Sequence, residues 1–296
     1  MMLEKHPKLV RVEVVHTAEQ IPRGPFAGGC FGSATTPLEY ELWRNLDAIV
    51  AVSHALQRYA SEQCGVEMYM IPNHPWSFKD RKSADLPRRR RNFEDQTVVM
   101  INPCMIKGYG IFLDMAKENK RRRDNNTNLP IGLANRHAYN YVAYATWGAR
   151  PEMRDELQAA GVEVRDAATD MEPVWDHVSL LIVPSLWFEA WGMVITEAQL
   201  RGIPVVASDV GGIGEAKRFV APLIKVNAIN GQQRNGPGHY KIPPQDVTPW
   251  IQAVDDLMTN KNHYYDVADA GYAATTDWVQ SHDIRAFEKL LLKKIK

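Results

Sequence analysis

One strand–loop–helix–strand stretch constrains the fold of this chain most. Residues 179–183 form a short apolar run of the kind that buried parallel strands show. Residues 193–201 have apolar side chains at helical spacing, and the Gly-Ile-Pro sequence at 202–204 ends that helix. A second buried strand at 205–208 and a glycine-rich turn at 209–215 complete a βαβ unit. Because open α/β sheets bind ligands at the carboxyl ends of their strands, we expect the functional site there.

Two glutamates bracket the loop and the helix of this unit. Glu189 lies in the loop and Glu197 about one turn inside the helix, with seven residues between them. Free N–H groups at a helix N-terminus bind anions such as a diphosphate, which a neighbouring carboxylate would repel. The two carboxylates are better suited to accept hydrogen bonds from neutral hydroxyls of a ribose or a hexose. The alternative is a solvated loop residue and a partner of the helix dipole, and spacing alone does not decide between them.

Composition excludes several classes of protein. The 296 residues are enough for one large domain or two modest ones, and a formal net charge of zero gives no electrostatic case for nucleic acid or an anionic membrane. The cysteines Cys30, Cys64 and Cys104 are too far apart to indicate a disulfide framework or a metal site. Neither a signal peptide nor a membrane-spanning apolar run is visible. We therefore predict a cytoplasmic protein.

The run from Val183 to Glu215 resembles the donor-binding signature of the family-four retaining glycosyltransferases of the GT-B fold. The matching features are the Pro-Ser pair, the Glu-x7-Glu spacing, the Gly-Ile-Pro-Val-Val-Ala-Ser strand and the Gly-Gly-x-x-Glu turn. In that family the second glutamate holds the nucleotide ribose and the first contacts the donor sugar, roles that the resemblance gives to Glu197 and Glu189. It also implies donor contacts for residues of the loop and the turn: Trp191, Gly192, Met193 and Gly212.

A second resemblance lies at the predicted strand of residues 97–101. The sequence after it contains Asn-Pro and then Lys-Gly before a helix, similar to the first strand, loop and helix of the family's donor domain. The resemblance implies that Lys107 pairs with the donor diphosphate and that Asn102 and Gly108 belong to the same site. The family usually carries an arginine five or six positions before that lysine. Those positions are Ile101 and Asn102 here, so half of the cationic clamp is missing.

The N-terminal part resembles the end of the family's first, acceptor-side domain. A strand ending in His16 precedes a glycine- and proline-rich loop at 21–37, a strand ending at Ser53 and a strand ending in Ile-Pro-Asn. The family's histidine lies near the reacting sugar, so the resemblance implies that place for His16; the alternative is a histidine that caps a strand end. The loop either closes over a ligand or is a long surface connection.

These observations predict an α/β, GT-B-like fold. We expect an incomplete Rossmann-like acceptor-side domain at 1–76, a complete Rossmann-like donor domain at 77–278, and a helix at 279–296 that packs back on the first domain. The four arginines of residues 88–91 are interpreted as solvated charges of the linker. Since the chain starts about two strands before Ser53, we expect an oligomer, or a second chain that completes the acceptor domain.

The resemblance implies a glycosyltransferase that moves a hexosyl group from a nucleotide-diphosphate sugar, UDP- or GDP-linked, to an unknown acceptor, with retention. His16, Lys107 and Glu189 are the expected catalytic residues, and neither a cofactor nor a metal ion is expected. One alternative is a non-catalytic nucleotide-sugar-binding subunit that a partner chain completes. The other is an epimerase or a phosphorylase of the same fold.

Overall fold

Two parallel β-sheets organise the computed structural model, which describes residues 9–28, 36–73, 86–126, 138–146, 148–231 and 240–295. The first sheet has three strands in the order β1-β2-β3. Their bounds are Val12–Val15, Ala48–Ala51 and Tyr69–Met70. Among the described residues β1 pairs with β2 alone, so its outer edge is open. The oligomer expected from the sequence stays a prediction.

The second sheet has six parallel strands in the order β6-β5-β4-β7-β8-β9. Their bounds are Thr97–Ile101 (β4), Asn140–Ala145 (β5), Glu163–Asp166 (β6), Leu180–Val183 (β7), Val205–Ser208 (β8) and Leu223–Ile224 (β9). From β4 the chain runs outward in one direction, and from β7 it runs outward in the other. The order therefore reverses between β4 and β7, whose register pairs Val98 with Leu180. Such a switch point is where open parallel sheets bind ligands.

Helices connect the strands, as the predicted α/β class requires. Their bounds are Pro37–Arg44 (α1), His54–Cys64 (α2), Tyr109–Asn126 (α3), Pro151–Ala159 (α4), Glu172–Trp175 (α5), Met193–Gln199 (α6), Ile213–Ala216 (α7), Thr248–Thr259 (α8), Lys261–Ser281 (α9) and Ala286–Ile295 (α10). Within the described residues, no helix is both long enough and apolar enough to span a membrane. The terminal helix α10 lies on the first sheet, where Leu290 packs against Ala48 and Val50. The domain boundaries stay predictions.

The N-terminus of α2, which follows a strand of the first sheet, is hydrogen-bonded to a residue that follows a strand of the second sheet. Ser53 caps the helix as predicted, because its Oγ accepts the backbone N–H of Leu56 at 3.1 Å. The first two helical N–H groups, of His54 and Ala55, donate to the Glu215 carboxylate at 2.8 and 2.6 Å. Glu215 follows β8 of the second sheet and is 160 residues away from Ala55 in the chain. A carboxylate beside the second sheet therefore accepts the free N–H groups at the start of a helix of the first sheet.

The prediction that the arginines at 88–91 are solvated is wrong for Arg90, whereas the side chains of Arg88 and Arg91 are 73% and 52% exposed. Arg90 is 5% exposed and pairs with Glu172 at 2.7 Å and with Asp176 at 3.1 Å. Arg88 pairs with Asp176 at 2.5 Å. Both acidic residues belong to α5 or directly follow it. The charge run holds the segment before β4 to this helix, a partnership that a run of arginines in the sequence does not reveal.

A buried lysine after α7, Lys217, should make the free energy of unfolding depend on pH. Lys217 is fully buried, its ammonium donates to the carbonyl of Val220, and burial lowers its pKa from 10.5 to about 7. Between these two values the unfolded chain binds a proton that the folded chain does not. The free energy of unfolding should therefore rise with pH in this window, by up to about 1.4 kcal/mol per pH unit.

Lys217→Met should remove that rise. We expect urea unfolding between pH 7.5 and 9.5 to show a stability that increases with pH in the parent chain and stays flatter in the variant. Lys293→Met, which replaces an exposed lysine, is the control and should keep the slope of the parent. Equal slopes for the parent chain and Lys217→Met would show that the buried ammonium does not titrate in this range.

Candidate functional site

Lys107 and Glu189 meet at the switch point of the six-stranded sheet. The Lys107 ammonium forms an ion pair with Oε1 of Glu189, across 82 residues of sequence. The loops that carry them follow β4 and β7, the two strands between which the sheet order reverses. The Glu189 side chain is 13% exposed and that of Lys107 is 32% exposed. Glu189 is thus a largely buried, paired carboxylate rather than a solvated loop residue.

Ser185 fixes the same carboxylate from the other side. Its hydroxyl donates to Oε1 of Glu189 at 2.6 Å, and its side chain is fully buried. The Ser185 carbonyl in turn accepts the hydroxyl of Ser208 at 2.6 Å. Oε1 of Glu189 therefore receives two donors, a hydroxyl and an ammonium, and a buried residue at the end of β7 holds it in place.

The two loops are packed directly on each other. The N–H groups of Leu186 and Trp187 donate to the carbonyl of Ile106 at 3.0 and 3.1 Å. Gly108 has a φ of +85°, and a Cβ built there would lie 1.9 Å from the carbonyl oxygen of Pro184. Only glycine fits this left-handed backbone and this close approach. Gly108 is thus required for the geometry that brings the lysine loop to the glutamate loop.

Glu197 lies in the first turns of α6 with a half-buried side chain. Burial raises the pKa of its carboxyl above the usual value, and the charge of Arg201 opposes this rise. Within the part of the chain that the structure describes, the Glu197 carboxylate accepts no hydrogen bond and forms no ion pair. A partly desolvated acceptor without a donor is suited to receive the hydroxyls of a ligand.

The residues around the start of α6 differ in which of their groups remain available to a ligand. Gly192 is the N-cap with a φ of +100°, and no side chain caps the helix. The half-buried Met193 is the first helical residue. The indole of Trp191 is buried, donates to Thr196 Oγ1 at 3.1 Å and lies 5.2 Å from the ring of Trp278. The Trp191 side chain therefore belongs to the core, which leaves only its backbone for a ligand.

Gly212 supports the loop that carries Glu189. Its N–H donates to the carbonyl of Glu189 at 2.7 Å. A Cβ on Gly212 would lie 2.2 Å from the carbonyl oxygen of Ala190, and one on Gly211 would lie 2.3 Å from that of Glu189. The glycine pair thus lets the turn after β8 pack closely against the backbone of Glu189 and Ala190.

Asn102 lies at the carboxyl end of β4 in the left-handed region, with a φ of +57°. Its N–H donates to the carbonyl of Tyr144 at 2.9 Å. Its Oδ1 is buried and has no hydrogen-bond partner among the described residues. This left-handed conformation directly after β4 turns the chain toward the Lys107 loop. The side-chain amide of Asn102 is a further polar group at the same edge of the sheet.

His16 lies at the carboxyl end of β1 with an exposed side chain. Its N–H donates to Gln20 Oε1 at 2.7 Å, and its Nδ1 lies 3.5 Å from Nδ2 of Asn73. Its hydrogen bonds within the described residues thus stay at the edge of the first sheet and do not reach Lys107 or Glu189.

The loop after His16 reaches the second sheet through Phe26. The Phe26 ring lies 4.7 Å from the ring of Trp187 and 5.7 Å from that of Phe188, and the Phe26 N–H donates to the Tyr59 hydroxyl at 3.2 Å. Phe26 therefore packs against the loop that carries Glu189 and ties this segment to the second sheet. Residues 29–35 of the predicted loop lie outside the described residues, as does Cys30.

Two residues of the motifs act in ways that sequence reasoning did not assign. Ser185 holds Glu189, and Glu215 caps α2. Both stand in recognised patterns, the Pro-Ser pair and the Gly-Gly-x-x-Glu turn, but their partners lie on other loops or in the other sheet.

Comparison with protein families gives a match over the region of this site. The profile of the family described as glycosyl transferases group 1 matches residues 106–260. A D-inositol 3-phosphate glycosyltransferase of Mycobacterium marinum is 32% identical over 119 residues, which are 39% of this chain and 22% of that protein. A UDP-GlcNAc:ribostamycin N-acetylglucosaminyltransferase of Streptomyces fradiae is 40% identical over 80 residues, 24% of this chain and 22% of that protein. The matched stretches thus span about a fifth of these curated relatives.

A solved structure supports the fold. The HepE protein of Anabaena, crystallised with UDP and glucose, superposes with a TM-score of 0.60 at 16% identity. The superposition covers 96% of this chain and 70% of HepE. The α/β, GT-B-like fold class predicted from the sequence is thereby confirmed.

Proposed function

The chain belongs to the glycosyl transferases group 1 family, and we propose that it transfers a hexosyl group from a nucleotide-diphosphate sugar to an acceptor. The proposal includes a UDP- or GDP-linked donor, retention at the sugar, and a reaction without a metal ion. The observation that carries it is the cluster of Lys107, Ser185 and Glu189 at the switch point, beside a helix that presents the unpaired Glu197 carboxylate. A cation and two separate carboxylates match the three parts of such a donor: diphosphate, sugar and ribose.

The chemistry assigned to these groups is electrostatic. Lys107 and the uncapped N–H groups that begin α6 stabilise the negative charge that develops on the leaving diphosphate. The Glu197 carboxylate accepts hydrogen bonds from the ribose hydroxyls. Glu189 and His16 act at the sugar, where contacts affect turnover more than nucleotide binding. Asn102 and the backbone of Trp191, Gly192 and Met193 complete the donor pocket, and Gly108 and Gly212 hold its loops together.

Lys107→Ala should weaken binding of a nucleoside diphosphate and leave binding of the nucleoside unchanged. A lysine–phosphate contact is a charge-assisted hydrogen bond, so the expected loss is about tenfold or more in affinity. Calorimetric titration with UDP and with uridine checks this. An equal loss for both ligands would mean that Lys107 supports the fold and does not bind phosphate.

The proposed function is tested by incubating the purified chain with a panel of UDP- and GDP-linked sugars and measuring release of the nucleoside diphosphate. Turnover that Glu189→Ala abolishes would support the proposal. The anomeric configuration of the product, followed by NMR, tests retention, and turnover in excess EDTA tests independence from metal. Donor binding without any turnover would favour a nucleotide-sugar-binding subunit. Inversion at a sugar carbon without transfer would favour an epimerase, and dependence on inorganic phosphate a phosphorylase.

A further inference from the structure

The cation and one of the carboxylates assigned to the donor are bound to each other in the structure. The Lys107 ammonium is on Oε1 of Glu189, the atom to which the Ser185 hydroxyl also donates. A diphosphate needs the ammonium, and sugar hydroxyls need the carboxylate as acceptor. A donor molecule therefore meets two groups that are already satisfied.

We propose that the donor diphosphate separates this pair, so that Glu189 becomes free for the sugar only after Lys107 has moved to phosphate. The inference rests on the proposed function and adds an order of events within its site. With Glu189 bound to Lys107, the charge of the ammonium is neutralised toward an approaching anion, and a dianionic diphosphate competes better for the ammonium than a single carboxylate does.

The neighbours of the pair are arranged for such a transfer. Glu189 is held by its buried Ser185 partner and by its backbone, whose carbonyl accepts the N–H of Gly212. Lys107 is the more exposed partner, at 32% against 13%, and has a flexible side chain. When the ammonium moves, the carboxylate stays in place with one hydroxyl donor on Oε1, and its remaining acceptor positions are open to sugar hydroxyls.

The decisive experiment is a double-mutant cycle with inorganic pyrophosphate as the probe, followed by calorimetry. Glu189→Gln keeps an acceptor for Ser185 but removes the competitor for Lys107, so it should bind pyrophosphate about three- to tenfold more tightly than the parent chain. Glu189→Gln in the Lys107→Met background should give a smaller gain, because only charge repulsion is then relieved. The fitted stoichiometry reports the folded fraction of each variant.

A matched control separates the pair from a general charge effect. Glu94→Gln removes the same charge from another lysine–glutamate pair, with Lys261 at 2.5 Å, at the opposite end of β4. It should leave pyrophosphate affinity unchanged. Equal gains from Glu189→Gln in both backgrounds, or no gain in either, would overturn the proposed separation.

The same titrations with UDP and GDP distinguish this inference from the proposed function. A parent chain that binds either nucleotide but shows no difference between the two backgrounds retains the function and loses the inference. A parent chain that binds neither nucleotide nor pyrophosphate at millimolar concentration loses both.

Discussion

Glu197→Ala is expected to weaken binding of the nucleoside diphosphate by about ten- to a hundredfold, the loss that removal of a charged hydrogen-bond acceptor produces. The carboxylate is half-buried, burial raises its pKa, and within the described residues it has no internal donor. Its removal therefore breaks no hydrogen bond or ion pair of the carboxylate among the described residues. Calorimetry with UDP or GDP measures the effect, and the stability of the variant should stay close to that of the parent.

Two ligands identify the ribose as the group that Glu197 contacts. Inorganic pyrophosphate has no ribose, so Glu197→Ala should bind it as the parent chain does. A 2′,3′-dideoxynucleoside diphosphate should bind the parent chain weakly and lose little more in the variant, because the hydroxyls and the carboxylate form one interaction. If Glu197→Ala weakens pyrophosphate as strongly as the nucleotide, the residue does not act on the ribose.

Gly108→Ala should destabilise the protein by about 2–4 kcal/mol, from a left-handed backbone with a side chain and from overlap with a neighbouring loop. The added Cβ would meet the carbonyl oxygen of Pro184 at 1.9 Å, and a backbone atom cannot move aside as a flexible side chain can. Urea unfolding measures the loss. Because the overlap displaces Lys107 from the N–H groups that begin α6, binding of pyrophosphate should fall as well.

Gly110→Ala is the control for this substitution, two residues away in the first turn of α3. A Cβ at Gly110 meets nothing within 4 Å, and alanine is the better helix former, so the expected change lies between none and a gain of about 1 kcal/mol. Similar unfolding curves for Gly108→Ala and the parent chain would show that the two loops tolerate separation and that their close packing does not determine the site.

The sequence by itself determined the local units of this protein. The βαβ stretch from 179 to 215, the cap at Ser53 and the strand that ends at Ile101 are recognisable because apolar periodicity, glycine and proline act within a few residues. The Glu-x7-Glu spacing is also a local pattern, since one glutamate lies in a loop and the other in the helix that directly follows it. These features sufficed for the α/β fold class and for the family.

Only the tertiary structure decided which of these units touch. The pairing of Lys107 with Glu189 arises because β4 lies beside β7, and strand order is not written in either segment. The same reason applies to Glu215 at the start of α2 and to the burial of Arg90 against Glu172, where a charge run in the sequence suggested solvent. A local pattern shows what a residue is able to bind, but its actual partner depends on strand order and packing that bring distant segments together.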